Sequence, residues 1–299
     1  MALDLRILYR GPLSSCNYGC EYCPFAKREE TRAELEHDRL ALDRFLGWVR
    51  ARPPEDRVSV FFTPWGEGLI RKWYQEALVE LTNLPSVQKA AIQTNLSAPL
   101  GWVDRCTPGK LALWTTFHPD WSTRERFAQR VQWLHDRGIT LSVGMVGFNR
   151  FQDEMLALRR ELPAGVYMWI NAVKSHHGGE RYSPQDLAFY EGIDPLFRLN
   201  TVNHPSLGHP CQAGLSAISV DGDGAMRRCH FTPEVIGNLY DSNFKDALIE
   251  RPCSKESCGC HIGYVNLEYL ELDKVFGSGI LERVPRTKLP VVSLSIARS

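Results

Sequence analysis

The sequence predicts an α/β protein: a partial (β/α)6 barrel over residues 1–180, with a small hairpin-plus-helix module near the C-terminus. Three observations lead there. Six short apolar, β-rich runs recur at fairly even intervals, segments of helical periodicity separate most of them, and five of the nine cysteines crowd into residues 211–262. Strands apolar on both faces that alternate with helices mark a parallel sheet covered on each side.

In order, the strand runs are LRILYR (5–10), VSVFF (58–62), AAIQTN (90–95), LALWTTF (111–117), TLSVGMV (140–146) and VYMWINAV (166–173). Helical spacing marks LALDRFLGWVRA (40–51), YQEALVELTNL (74–84) and RERFAQRVQWLHDRG (124–138), the last closed by Gly138. The connection 96–110 has the weakest helical pattern. Residues 181–210 form a link, with SPQDLAFYEGIDPLF (183–197) as its helix. LSAISVDGDGAMRRC (215–229) places two strands around an Asp-Gly-Asp-Gly turn, a hairpin signal, and a short helix is expected around 242–250. The unit 211–262 is too small for a generous core, a setting in which metals commonly supply stability. Residues 263–299 read as a C-terminal helix and tail.

The chain has 299 residues, 43% hydrophobic and 23% charged, and its 35 basic and 35 acidic side chains cancel. No basic run offers a footprint for nucleic acid or anionic lipid. The start, MALDLRILYR, lacks a signal peptide's apolar core, and no run reaches the roughly 18 apolar residues of a membrane span. The expectation is a cytoplasmic protein without nucleic-acid or membrane partners. Clustered thiols in a reducing compartment point to metal ligands or catalysts rather than disulfides. Cys106 stands alone and reads as a buried, inert thiol.

CNYGCEYCP (16–24) follows the first strand, on the face where barrels of this kind carry their chemistry. Soft thiolates select zinc, copper or iron–sulfur centres. Cys16, Cys20 and Cys23 can wrap one corner of a cubane and ligate three of its four irons, which leaves the fourth for a substrate. A zinc site completed by a histidine such as His37 is the other reading.

Cys16-x3-Cys20-x-Tyr22-Cys23 resembles the motif of the radical S-adenosylmethionine (SAM) superfamily. The resemblance implies a [4Fe–4S] cluster whose open iron chelates SAM, and reductive cleavage of SAM to a 5′-deoxyadenosyl radical that abstracts hydrogen from substrate. It implies further cofactor contacts by position. Trp65, Gly66 and Glu67 stand where the family has Gly-Gly-Glu, with the first glycine replaced. Asn95, Thr116 and His118 end the third and fourth strands, Val146 ends the fifth beside adenine, and Tyr22 packs on adenine as well. Such an enzyme needs a reductant such as flavodoxin or ferredoxin.

Cys211-x12-Gly224-x4-Cys229 resembles the opening of the SPASM and twitch auxiliary modules of that family. Five cysteines suit one auxiliary [4Fe–4S] cluster, held by Cys211, Cys229, Cys258 and Cys260 with Cys253 the alternate. Structural zinc is the other possibility. An auxiliary cluster can take an electron from a substrate radical, so His118 and His177 are candidate bases. The resemblance implies a peptide or small-molecule substrate. With fifteen residues ahead of Cys16, a peptide would need a separate recognition protein. A contrasting expectation is a non-catalytic iron–sulfur carrier or a zinc-stabilised binding protein.

Overall fold

The computed structural model describes residues 2–23, 25, 28–174 and 180–287. Six strands pair in parallel and in chain order: β1 (Asp4–Arg10), β2 (Arg57–Phe62), β3 (Val87–Thr94), β4 (Leu111–Thr116), β5 (Thr140–Val146) and β6 (Tyr167–Asn171). Four helices cross over between them: α1 (Arg32–Arg50), α2 (Lys72–Asn83), α3 (Arg124–Asp136) and α4 (Gln152–Glu161). Local chemistry fixes their ends. Thr31 and Glu34 form a capping box at the start of α1, and Thr123 caps α3. Gly138, at φ +67, takes the left-handed turn after α3 that other residues resist. The connection 96–110, weakest in helical pattern, carries a short 3₁₀ stretch at Gly101–Arg105.

The strands' alternating residues face two layers. Ile7, Tyr9, Val60, Phe62, Ile92, Leu113, Val143 and Met145 are buried in the main core. Phe61, Trp114 and Trp169 face the other way, into the barrel, where Ile262 and Leu281 pack on them. The C-terminal segment closes the barrel's base. Glu282 is fully buried and ion-paired with Lys89 at 2.6 Å, and its carbonyl accepts from Ser142 Oγ at 2.6 Å. Removing one partner of such a pair costs about 3–5 kcal/mol, because the other charge is left stranded.

After β6 come α5 (Pro184–Ile193) and α6 (Phe197–Thr201), then β7 (His204–Pro205). The predicted hairpin is β8 (Ala217–Asp221) and β9 (Ala225–Arg227), followed by β10 (Val235–Asn238). Gly224 makes the turn at φ +84, where a Cβ would strike the Tyr240 ring at 2.3 Å. β8 pairs in parallel with the free edge of β1, so the hairpin extends the barrel sheet to nine strands. β11 (Ser257–Cys258) pairs antiparallel with β7, and two short helices follow, α7 (His261–Tyr264) and α8 (Leu272–Phe276).

The helix expected around 242–250 is only a 3₁₀ turn at Phe244–Ala247. Of that turn only Phe244 is buried, too little to offset the cost of nucleating a longer helix.

Candidate metal and cofactor site

The loop after β1 emerges at the C-terminal end of the parallel sheet, and three supports hold it. The first is a backbone ladder beyond the strands: Thr63, Trp65 and Glu67 N–H donate to the carbonyls of Tyr9, Leu13 and Ser15 at 3.1, 3.0 and 3.1 Å. Between the last two rungs lies Gly66, where a Cβ would sit 1.8 Å from the Ser15 carbonyl oxygen. Only glycine permits that approach. Glu30 is the second support. Its carboxylate accepts from the backbone N–H of Ser14 and Ser15 at 2.9 and 3.1 Å, and from both hydroxyls. Asp38 of α1 is the third, accepting from Leu13 N–H, Trp73 Nε1 and Tyr74 OH. The loop thus reaches Cys16 with its backbone already fixed.

Glu67 ties this support to β3. Its buried carboxylate accepts from Leu69 N–H at 3.0 Å, Thr94 Oγ1 at 2.9 Å and Asn95 N–H at 2.6 Å. Desolvation still outweighs those bonds and pushes its pKa up to about 7. Asn95 in turn donates from Nδ2 to Asn17 Oδ1 at 3.0 Å and lies 3.9 Å from Cys16 Sγ. Cys20 is buried, Cys16 and Cys23 half-buried. Burial pushes the Cys20 thiol up to about 11, so a metal must displace its proton on binding.

Aromatic groups gather above the loop. His118 Nδ1 lies 2.8 Å from Tyr22 OH and 3.4 Å from Cys20 Sγ, and burial lowers its pKa to about 4. The Tyr22 ring packs on His118 and on Phe148, which follows β5. Thr116 and Val146 end β4 and β5 on the same side, both half-buried. His177 lies outside the described residues. His37 is exposed on α1, and Cys106 is buried in the core as expected.

All five C-terminal cysteines line one cavity of about 460 Å³. Cys211 enters from the link after β7, Cys229 after β9 and Cys253 from a loop bonded to His209; Cys258 ends β11, and Cys260 follows it across Gly259. Burial raises the Cys211 and Cys260 thiols, and pushes Cys229 up to about 11 and Cys258 to about 12. Cys253 lies close enough to add to the shifts at Cys211, Cys229 and Cys258, whereas Cys260 adds to that of Cys258 alone and faces Arg283, Lys174 and Arg10. Lys174, Arg228 and Lys255 share the cavity wall. Among the described residues, no three His, Cys, Asp or Glu side chains close on a single metal-ion point.

Sequence reasoning missed Glu30, Asn17, Lys174 and Arg10. Asn17 sits inside the cysteine loop at a position that the motif leaves open, the others carry no motif, and only tertiary pairing reveals them.

No protein-family model matches the chain, and no curated protein matches it. Among solved structures, native anSMEcpe with bound AdoMet and the Cp18Cys peptide aligns at 15% identity over 81% of this chain and 80% of its own, with a TM-score of 0.50. The same protein with AdoMet and the Kp18Cys peptide aligns at 14% identity over 82% and 81%, also at 0.50. BtrN in complex with AdoMet and 2-DOIA covers 83% of this chain and 88% of its own, at 17% identity and a TM-score of 0.35. The chain shares the overall fold of these anSMEcpe structures. Among the described residues, no helix is long and apolar enough to cross a membrane.

Proposed function

We propose that the chain is a radical SAM enzyme with one auxiliary iron–sulfur cluster, acting in a reducing, cytoplasmic setting on a peptide or small molecule. One observation carries the reading: a three-cysteine loop at the mouth of a parallel partial barrel, seated so tightly on Trp65-Gly66-Glu67 that Gly66 has no room for a Cβ. A [4Fe–4S] cluster with SAM at its open iron supplies reductive cleavage to a 5′-deoxyadenosyl radical, which takes hydrogen from the substrate.

The chain's own residues hold and shelter that chemistry. Cys16, Cys20 and Cys23 would ligate the cluster. The rigid support beneath them would hold the three thiols in one arrangement, and Asn95, Thr116, Val146 and Tyr22 border the space above. His118 is already committed to Tyr22 and Cys20, which favours a role in steadying the loop over that of substrate base.

The second cavity suits a cluster better than a single zinc. The five thiols line a space of about 460 Å³, room for a four-iron cube and more than one zinc ion fills. Its ligands in this reading are Cys211, Cys229, Cys253 and Cys258. Cys253 replaces Cys260 because it acts on all three of the others, whereas Cys260 acts on Cys258 alone. A flavodoxin- or ferredoxin-type reductant would feed the first centre. The peptide named in the anSMEcpe structures makes a peptide substrate the first class to try.

The test is anaerobic reconstitution with iron and sulfide, then SAM and dithionite. Wild type should release 5′-deoxyadenosine. A Cys16/Cys20/Cys23→Ala variant should release none, yet keep its fold and about four irons. A wild type that holds its clusters and leaves SAM intact sinks the proposal.

A further inference from the structure

Inward-facing residues of β1 alternate Arg6, Leu8, Arg10. The lower two line an apolar cavity together with Cys229, His230 and Trp114. Arg10, one pleat nearer the mouth, is held from several sides. Its guanidinium carbon lies 4.2 Å from the Trp65 ring centre and 5.9 Å from that of Phe25. Nη1 donates to His230 Nε2 at 2.5 Å, and Nε contacts Thr63 Oγ1 at 3.4 Å. A guanidinium only donates, so His230 must accept here, with its own proton on Nδ1.

These neighbours place Arg10 between the two cysteine centres. Trp65 belongs to the ladder under the first loop, Phe25 follows Cys23 by two positions, and His230 adjoins Cys229. Yet no carboxylate of the described residues pairs with Arg10. The surface arginines Arg28, Arg50, Arg105, Arg124 and Arg137 each have one. Among the described residues two of its five N–H groups find partners, which leaves one on Nη1 and both on Nη2, enough for a two-toothed grip on an acid.

We propose that Arg10 anchors a carboxylate of the substrate. The inference rests on the reading of this mouth as a radical SAM active site. A single unpaired cation between aromatic walls and a neutral imidazole matches a monoanion; a phosphate dianion calls for more charge. The acid can be a free small molecule or a peptide's terminus or side chain, and in each case Arg10 sets its distance from both centres.

The probe pair is N-acetylglycine and N-acetylglycinamide, alike except for the charge. Each is titrated into anaerobic, SAM-loaded holoenzyme while tryptophan fluorescence is followed. Wild type should bind the acid at least about tenfold more tightly than the amide. Arg10→Gln should abolish that preference while keeping wild-type iron content, Arg10→Lys should restore part of it, and Arg6→Gln should keep it. Equal binding of acid and amide by wild type, or an unchanged preference in Arg10→Gln, overturns the proposal. So does loss of iron in Arg10→Gln, because Arg10 would then support a centre rather than a substrate. Failure of wild type to release 5′-deoxyadenosine would sink the enzymatic reading alone, since the acid–amide comparison is read independently of turnover.

Discussion

The two cysteine centres are built in opposite ways. The first takes its three thiols from eight consecutive residues and relies on acids to fix the backbone beneath them: Glu30, Asp38 and Glu67. The second gathers five thiols from fifty residues across several turns, around a cavity walled by Lys174, Arg228 and Lys255. A local motif needs only a rigid seat. A dispersed set needs the whole module to fold before any ligand is placed, so its spacing says little about which thiols bind.

Ligand choice at the second centre gives the sharpest test of that contrast. Cys253→Ala should strip the auxiliary iron, lowering the holoenzyme from about eight irons to about four. Cys260→Ala should keep about eight. Iron and sulfide analysis of both variants decides it. The reverse result returns Cys260 to the ligand set and shows that the tight Cys258-x-Cys260 spacing was informative after all.

The six core strands are legible in sequence because each is a short, largely apolar run with at least one face buried, and their observed bounds differ from the expected ones by three residues or fewer at either end. The cysteine loop is legible because its chemistry is contiguous. The attachment of β8 to β1 is not. It joins Arg6 to Ala217 across two hundred residues, and no turn or periodicity announces a partner that distant. The same reason hides Glu30, Asn17 and Arg10, whose roles exist only through contacts made after folding. The helix expected around 242–250 failed differently: its local pattern was helical, but too few of its residues found a core.

A smaller, symmetrical pair of substitutions separates the seats. Gly66→Ala forces a Cβ into the Ser15 carbonyl, a rigid backbone atom, and the ladder must open. We expect a loss of about 1–3 kcal/mol in stability and at least tenfold weaker SAM binding, with the auxiliary irons kept. Gly263→Ala brings a Cβ to 2.7 Å from Cys258 Sγ, a side-chain atom that can turn aside. Its effect should be milder and confined to the auxiliary irons. Calorimetric SAM titration and iron counts on both variants test the pairing; damage shared by both centres would mean that the seats are not independent.

The smallest effect is the pH dependence of the acidic seat. Glu67 titrates near 7 in the folded chain and near its ordinary value of 4.5 once unfolded. Between those values the native state keeps a proton that the unfolded state has released, so stability falls as pH rises and levels off above about 7. From pH 5.5 to 7.5 the Glu67 contribution is about 2 kcal/mol. Glu67→Gln cannot titrate, and its amide would face the Asn95 N–H donor to donor. The variant should therefore be less stable than wild type at pH 5.5 by about 1–3 kcal/mol, with the gap narrowing by pH 7.5, where the wild-type carboxylate bears its own burial cost. Anaerobic thermal melts of both proteins across that range measure the gap. A constant difference would mean that Glu67 stays in one protonation state, and the seat of the first centre would then owe its rigidity to hydrogen bonds alone.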